Sequence, residues 1–206
     1  MDPVETIILR ESWEVEPRLK ELGLSRKKLL EARDIAINDA ANATAFHAAN
    51  AAGTYSYHAG TWALRHLFVG KEWKLDRADG IEAIRDDARK VRIAFSNVDL
   101  ACDASHVPKP RTKKGAGAER AITGDLFPNS PRYAPNKTGE WQFFYLMIDQ
   151  NGAAELTRPI VRGGTFIAAT ERIYLSTGSG DDGDGLGRRD DAGDSPVEFE
   201  PQIARK

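Results

Sequence analysis

The chain has 206 residues, of which 41% are hydrophobic and 29% charged, and its formal net charge at pH 7 is −2. This length and composition predict one globular domain with an appended tail, and the absence of a long repeat excludes solenoids and propellers. No run of about 18 apolar residues occurs, and the N-terminus lacks the basic start of a signal peptide. We therefore expect a cytoplasmic protein that does not span a membrane.

The N-terminal third of the chain is predicted to be helical. Ser25 is a suitable N-cap for a helix that begins at Arg26, and a mostly alanine stripe at helical spacing follows from Leu29 to Ala43. Residues 17–22 predict a short helix before it, with its proline near the first turn. A neighbouring element can approach the alanine stripe closely.

Two more helices are predicted before the first strand. Apolar spacing indicates one over residues 57–70, with Gly53 separating it from the preceding alanine-rich link. Asp79 followed by Glu82 resembles a capping box, which predicts a short helix that continues to Ala88.

The second half of the chain is predicted to form strands. Residues 91–95 alternate apolar and polar side chains, as in a half-buried strand. Residues 141–148 are apolar on both faces and predict a central strand, which an Asn-Gly turn joins to a second strand over 153–161. Residues 166–176 predict a third strand.

These elements predict an α+β fold in which N-terminal helices pack on a C-terminal antiparallel β-sheet meander. The domain is expected to cover residues 1–176 and to include a long basic, Pro/Gly-rich loop over 103–140. Residues 177–206 are rich in Gly and Asp, which predicts a disordered acidic tail.

Positive charge is concentrated in residues 108–120, which carry five Lys/Arg against one Glu. The basic residues are Lys109, Arg111, Lys113, Lys114 and Arg120. Their spacing by Gly and Pro suits a flexible arm that neutralises phosphates or contacts an acidic protein surface. No aromatic residue interleaves with them, so sequence-specific base recognition is not predicted. The alternative is a solvated loop whose charges serve solubility.

Negative charge is concentrated in residues 181–200, which carry eight Asp/Glu against two Arg. The spacing of Asp182 and Asp184 lacks the further ligands of a calcium loop, so no metal site is predicted there. This tail is expected to contact the basic loop or a protein partner, and the alternative is a purely solvated tail. Phe199 favours docking, because a solubility tail needs no aromatic residue.

A candidate pocket is predicted where the strand over 91–95 leads into the long loop. Asn97 and Asp99 share one face by alternation, and Arg92 precedes them on the same strand. Strand ends that lead into long loops are frequent positions for binding and catalytic residues.

Other catalytic classes have weak support. Cys102 is the only cysteine, which excludes an internal disulfide, and its neighbour Asp103 disfavours a thiolate. Ser105 and His106 are adjacent, which is unsuited to a triad, and no phosphate-binding loop motif occurs. A metal-dependent nuclease would use acidic residues flanking the hairpin between the second-half strands, but the usual lysine spacing is missing. We expect no cofactor and no metal.

Several stretches resemble a family of uncharacterised bacterial proteins associated with mobile or defence-related loci. The resemblance lies in residues 92–99 (RIAFSNVD), 112–120, 166–173 and 198–206. It implies that the basic loop and the acidic tail belong together, and it implies no catalytic role.

The sequence thus predicts a non-catalytic protein that contacts nucleic acid or an acidic protein surface through the basic loop, with the tail modulating this contact. The first alternative is a phage or mobile-element inhibitor of a host defence system that acts by protein binding or nucleic-acid mimicry. The second is an enzyme with a pocket near Asn97 and Asp99.

Overall fold

The computed structural model describes residues 5–123 and 141–178 of the chain. These residues form a seven-stranded mixed β-sheet and four α-helices. The strands are β1 (Ile7–Leu9), β2 (Trp73–Asp76), β3 (Ala83–Asp86), β4 (Val91–Asn97), β5 (Gln142–Ile148), β6 (Ala154–Arg162) and β7 (Thr165–Ser176). The helices are α1 (Ser12–Glu21), α2 (Arg26–Ala40), α3 (Ala51–Phe68) and α4 (Ala116–Thr123). Residues 124–140 and the predicted tail from residue 179 onward lie outside the described residues.

The strand order across the sheet is β1-β7-β6-β5-β4-β3-β2. β5, β6 and β7 form the predicted antiparallel meander, with the Asn-Gly turn between the first two. However, β1 pairs with β7 and β4 pairs with β5 in parallel, so the sheet is mixed. A parallel pair requires a crossover connection, and α4 lies in the one between β4 and β5.

The helix predictions hold for α2 and shift elsewhere. α2 begins at Arg26 as predicted, and its stripe is buried at Leu29, Ala32 and Ala36. α1 begins well before Pro17, which is accommodated inside the helix rather than in its first turn. α3 begins at Ala51 and so includes Gly53, where a break was expected, and the Gly53 carbonyl accepts a hydrogen bond from the Asn97 side chain.

The predicted helix over residues 79–88 is wrong. The chain forms β3 there, paired antiparallel with both β2 and β4. Asp79 has a φ of +60°, and the Glu82 carboxylate accepts a hydrogen bond from Arg65 instead of capping a helix. Pairing with two neighbouring strands therefore outweighs the local capping pattern.

The two faces of the sheet are covered differently. The helix-covered face packs against α1, α2 and α3 and is apolar at its centre, with Ile93, Phe95, Phe144, Leu146, Leu156 and Ile173 among its buried side chains. The loop-covered face lies under α4 and the segment that leads into it. This second face combines an apolar cluster around Phe143, Tyr145 and Phe166 with buried charged side chains.

Candidate anion-binding surface

The segment between β4 and α4, residues 98–115, crosses the sheet on a defined path, and we name it the crossing loop. Val98 forms an antiparallel bridge with Pro110. The backbone N–H of Arg111 donates to the carbonyl of Asn97 at 3.0 Å. The region expected to be an aperiodic, flexible arm is therefore a loop paired with the end of β4, and it continues into α4.

A buried ion pair beneath the crossing loop fastens it to the sheet. Arg172 donates to Glu155 through Nε at 3.0 Å and through Nη2 at 2.7 Å, and the two residues are 3% and 0% exposed. Arg172 also donates to the carbonyls of Asp103 and His106, while Glu155 accepts from the backbone N–H of Cys102. The pair thus binds three loop residues. Buried charges need such additional hydrogen bonds, because the pair alone leaves some of their donors and acceptors unsatisfied.

Cys102 has a structural setting within this network. Its backbone has a φ of +57°, and its sulfur lies 3.2 and 3.3 Å from the carbonyl oxygens of Ala154 and Ser176, which share the single thiol hydrogen. Burial, together with the negative charge of Glu155, raises the pKa of the Cys102 thiol to about 12. The thiol is protonated at neutral pH, so Cys102 is a poor nucleophile.

Three cations of the crossing loop face solvent, and we name Lys109, Arg111 and Lys113 the basic ridge. They occupy alternate positions along residues 109–113 of the loop. The Lys109 amine donates to the carbonyl of Phe166 at 2.8 Å, and Arg111 donates to the side chain of Gln150 at 3.0 Å. The ridge is therefore exposed and also anchored at two of its three side chains.

The tip of the β6–β7 hairpin adjoins the ridge. The backbone N–H of Lys114 donates to the carbonyl of Gly164 at 2.8 Å. Gly164 has a φ of +78°, and a Cβ built on it would lie 3.0 Å from the Lys114 carbonyl and 3.6 Å from the Cβ of Lys113. Arg162, in the same hairpin, is exposed and adds a cation that the sequence did not associate with the basic loop.

Lys114 turns inward, away from the ridge. Its amine donates to the hydroxyl of Ser96 at 2.8 Å and lies 4.8 Å from the centre of the Tyr145 ring and 5.6 Å from that of Phe166. Burial lowers the pKa of Lys114 to about 8. The last predicted basic residue, Arg120, belongs to α4, and its side chain lies outside the described part of the structure.

The residues of the predicted pocket hydrogen-bond to different parts of the protein. The Arg92 guanidinium, on the loop-covered face, donates to Asp76 at 2.6 Å. The Asn97 side chain accepts from Ser56 of α3 at 2.8 Å and so faces the helices. Asp99 bonds within the crossing loop. The structure does not bring these three side chains into one pocket.

Asp99 organises the start of the crossing loop. Its carboxylate accepts from the backbone N–H groups of Leu100 and Lys109 at 2.7 Å each, and it lies 3.0 Å from His106 Nε2. Partial burial opposes the charged form, but these hydrogen bonds outweigh it and hold the pKa of Asp99 below its ordinary value. Asp99 is therefore a charged turn residue at neutral pH.

The acidic residues flanking the β5–β6 hairpin also have structural partners. The Asp149 carboxylate accepts from the backbone N–H groups of Ala101, Asn151 and Ala153. Glu155 is occupied by Arg172. Within the described residues, no group of three or more His, Cys, Asp or Glu side chains is placed to hold a metal ion. The geometry does not favour the nuclease alternative.

No protein-family model matches the chain, and no curated protein or solved structure matches it significantly. The resemblance to proteins of mobile or defence-related loci therefore stays a prediction. In residues 5–123 and 141–178, no helix is both long and apolar enough to cross a membrane. The compartment also stays a prediction.

Proposed function

We propose that the protein binds an anionic macromolecule through the basic ridge, with a nucleic-acid backbone as the first candidate and an acidic protein surface as the second. The observation that carries this proposal is the exposure of three cations at alternate positions of a loop whose backbone is bonded to the sheet. A fixed array loses less conformational entropy on binding than a flexible arm does.

The composition of the crossing loop favours phosphate contacts over base recognition. Residues 98–115 contain no Phe, Trp or Tyr, and the ridge offers only lysine and arginine side chains. Contacts to phosphates position a protein on nucleic acid without reading its sequence. Binding is therefore expected to be weak, insensitive to sequence and strongly dependent on salt.

The start of the acidic tail lies close to one end of the ridge. Gly178, the last described residue, packs against the backbone of Asn151 in the β5–β6 turn. The neighbouring residue Gln150 is the one that binds Arg111. Asp181 follows Gly178 by three residues, which is at most about 10 Å of extended chain.

This proximity supports competition between the tail and an external polyanion for the ridge. A tethered competitor acts at an effective concentration in the millimolar range, so modest intramolecular attraction is enough to weaken binding. Replacing the six aspartates of the tail by asparagine removes six of its eight carboxylates without shortening the chain and leaves Glu198 and Glu200 in place. The substituted positions are Asp181, Asp182, Asp184, Asp190, Asp191 and Asp194.

A fluorescence anisotropy titration of labelled duplex and single-stranded DNA across a salt series tests the proposal. If the ridge contacts about three phosphates, log K against log salt has a slope of about −3 on duplex DNA. The slope becomes shallower by about 2 to 3 when Lys109, Arg111 and Lys113 are all replaced by Gln. Absence of binding at low salt would remove nucleic acid as the partner.

The tail variant gives an independent result in the same titration. If the tail competes for the ridge, the asparagine variant binds DNA more tightly than the wild type does, and the gain shrinks as salt rises. Unchanged affinity would contradict competition. Reduced binding to a protein partner, with DNA binding unaffected, would favour the mimicry alternative.

A further inference from the structure

The outward face of α3 carries no charge over most of its length. Residues 40–64, which include most of the helix, contain no Asp, Glu, Lys or Arg, although 29% of the whole chain is charged. In the second half of this helix Trp62 is 55% exposed. A charge-free surface with an exposed aromatic side chain has the composition that is found at the centre of protein interfaces.

The side of α3 that carries Trp62 points away from the sheet. Gly60 packs on the sheet so closely that a Cβ built on it would overlap the ring of Phe95 on β4. Trp62 follows Gly60 by two residues, which is about 200° around a helix and therefore nearly the opposite side. The helix is thus attached through Gly60 and presents Trp62 to solvent.

The outward face repeats every 3.5 residues. Tyr55, Ala59, Trp62 and His66 follow one another at spacings of four, three and four, and Val69 continues this spacing directly after the helix. Such a repeat is typical of a helix that packs along a second helix. We name these five residues the outer seam. None of them is buried, although α2 and the sheet already pack against α3.

Aromatic contacts hold the outer seam in a defined shape. The rings of Trp62 and His66 stack with their centres 4.6 Å apart and their planes inclined by 9°. At the other end, the ring of His47 meets that of Tyr55 edge-on at 5.6 Å, and its chain neighbour Phe46 is fully exposed. Side chains that are already fixed lose little conformational entropy when a partner covers them.

We propose that the outer seam is the interface of a homodimer, in which the α3 helices of two copies pack antiparallel around a two-fold axis at Trp62. Tyr55 then lies opposite the partner's Val69. Ala59 lies opposite the partner's His66, so each large side chain faces a smaller one. A surface that complements itself in this way suits an isologous contact, in which both copies use the same residues.

The absence of charge favours a second copy over other occupants. An uncharged surface avoids the like-charge contacts that two identical surfaces otherwise create near a two-fold axis. Nucleic acid, an anionic membrane and the acidic tail would each need Lys or Arg beside the apolar residues. The outer seam contains neither residue type, and Arg65, the only Lys or Arg of α3, is paired with Glu82.

The size of the outer seam indicates a dimer of moderate affinity. α3 has 18 residues and is about 27 Å long, so its outward face offers less than the roughly 800 Å² that each partner buries in a standard interface. We therefore expect dissociation in the micromolar range. The crossing loop lies on the other face of the sheet, so both basic ridges stay free and this inference is independent of ridge binding.

Sedimentation velocity of the full chain across about 1 to 200 µM tests the proposal. The average mass is expected to rise from that of one chain towards that of two. Trp62→Glu places two like charges at the two-fold axis and should weaken association by about 10-fold or more. Trp13→Glu is the matched control, because Trp13 is 74% exposed on α1, outside the outer seam, and its replacement should leave association unchanged.

Several results would overturn the proposal. These are a wild type that stays monomeric throughout, or an equal loss of association in the two tryptophan variants after urea denaturation has shown both to be folded. Association that appears only when residues 179–206 are removed would identify the tail as the occupant of the outer seam instead. Co-sedimentation of a monomeric chain with phosphatidylglycerol vesicles would identify a membrane surface.

Disulfide crosslinking tests the antiparallel register. Ala59→Cys and His66→Cys variants are oxidised separately and as an equal mixture, with the wild type as the control for Cys102. The mixture should crosslink at least about 5-fold faster, because the two positions face each other while identical positions lie about 9 to 12 Å apart along the helix axis. A mixture that crosslinks no faster than the single variants would overturn antiparallel pairing around Trp62.

Discussion

The helix-covered and loop-covered faces of the sheet bury different kinds of side chain. At the centre of the helix-covered face, side chains such as Phe144 and Leu146 are covered by other apolar groups. An ion pair on that side, Arg18 with Glu171, lies next to the edge strand β1. The loop-covered face buries the Glu155–Arg172 pair on two inner strands.

The difference shows which face is suited to holding a loop and its side chains in fixed positions. Apolar burial is non-directional and stabilises the fold wherever surfaces fit. A buried charge must be matched by specific partners, and these partners fix the path of the crossing loop. The loop-covered face therefore uses its charges to place the basic ridge and the Lys114 amine.

The largest expected effect comes from breaking the Glu155–Arg172 pair. Arg172→Met leaves Glu155 buried without its cation and should lower the free energy of unfolding by about 3 to 5 kcal/mol. Adding Glu155→Gln, which keeps an acceptor for Cys102, should recover part of this loss. Urea denaturation of both variants measures this, and a double variant at least as unstable as the single one would show that an unpaired Glu155 charge is not the cause of the loss.

A cavity in the helix-covered face should lower the stability of the protein by an amount that does not depend on charge. Leu146→Ala removes a fully buried side chain and should cost about 3 kcal/mol at any pH between 6 and 9. Because Leu146 points away from the crossing loop, DNA binding by the folded variant should be unchanged. A loss of binding by protein shown to be folded would contradict the separation of the two faces.

The buried amine predicts a smaller effect that depends on pH. The folded-state pKa of Lys114 is about 8, below the ordinary value of 10.5, so the unfolded chain binds more protons between these values. Wild-type stability should therefore rise with pH from 8 to 10.5 relative to Lys114→Met, by about 2 kcal/mol after allowance for partial exposure. Paired urea denaturations across this range measure it, and a constant difference would contradict the shift.

The elements that the sequence predicted are those with strong local signals. The alanine stripe of α2 and the apolar run of β5 with its Asn-Gly turn need no distant partner to be recognised. β1 and β3 have only three and four residues. β1 pairs with β7, which is far away in the sequence, and β3 is held between its sequence neighbours β2 and β4. A short strand that is fixed by its neighbours leaves little periodicity to detect.

In the candidate site, too, some features can be predicted from local sequence and others depend on distant contacts. The sequence singled out Lys109, Arg111 and Lys113, but it grouped them with Lys114 and Arg120 and did not distinguish the exposed cations from the inward one. The inward turn of Lys114 depends on contacts with Ser96 and with Gly164 at the tip of the β6–β7 hairpin, and no local sequence pattern indicates either contact. The Glu155–Arg172 pair likewise depends on the register of β6 with β7, which places Thr157 opposite Arg172.

The most direct measurement compares two matched triple variants in DNA binding at low salt. One replaces the basic ridge, Lys109, Arg111 and Lys113, by Gln, and the other replaces the exposed Lys20, Lys27 and Lys71 by Gln, so both lose three positive charges. Only the ridge variant is expected to lose most of its affinity, by about 10-fold or more. Equal losses in the two variants would mean that net charge, rather than the fixed array on the crossing loop, governs binding.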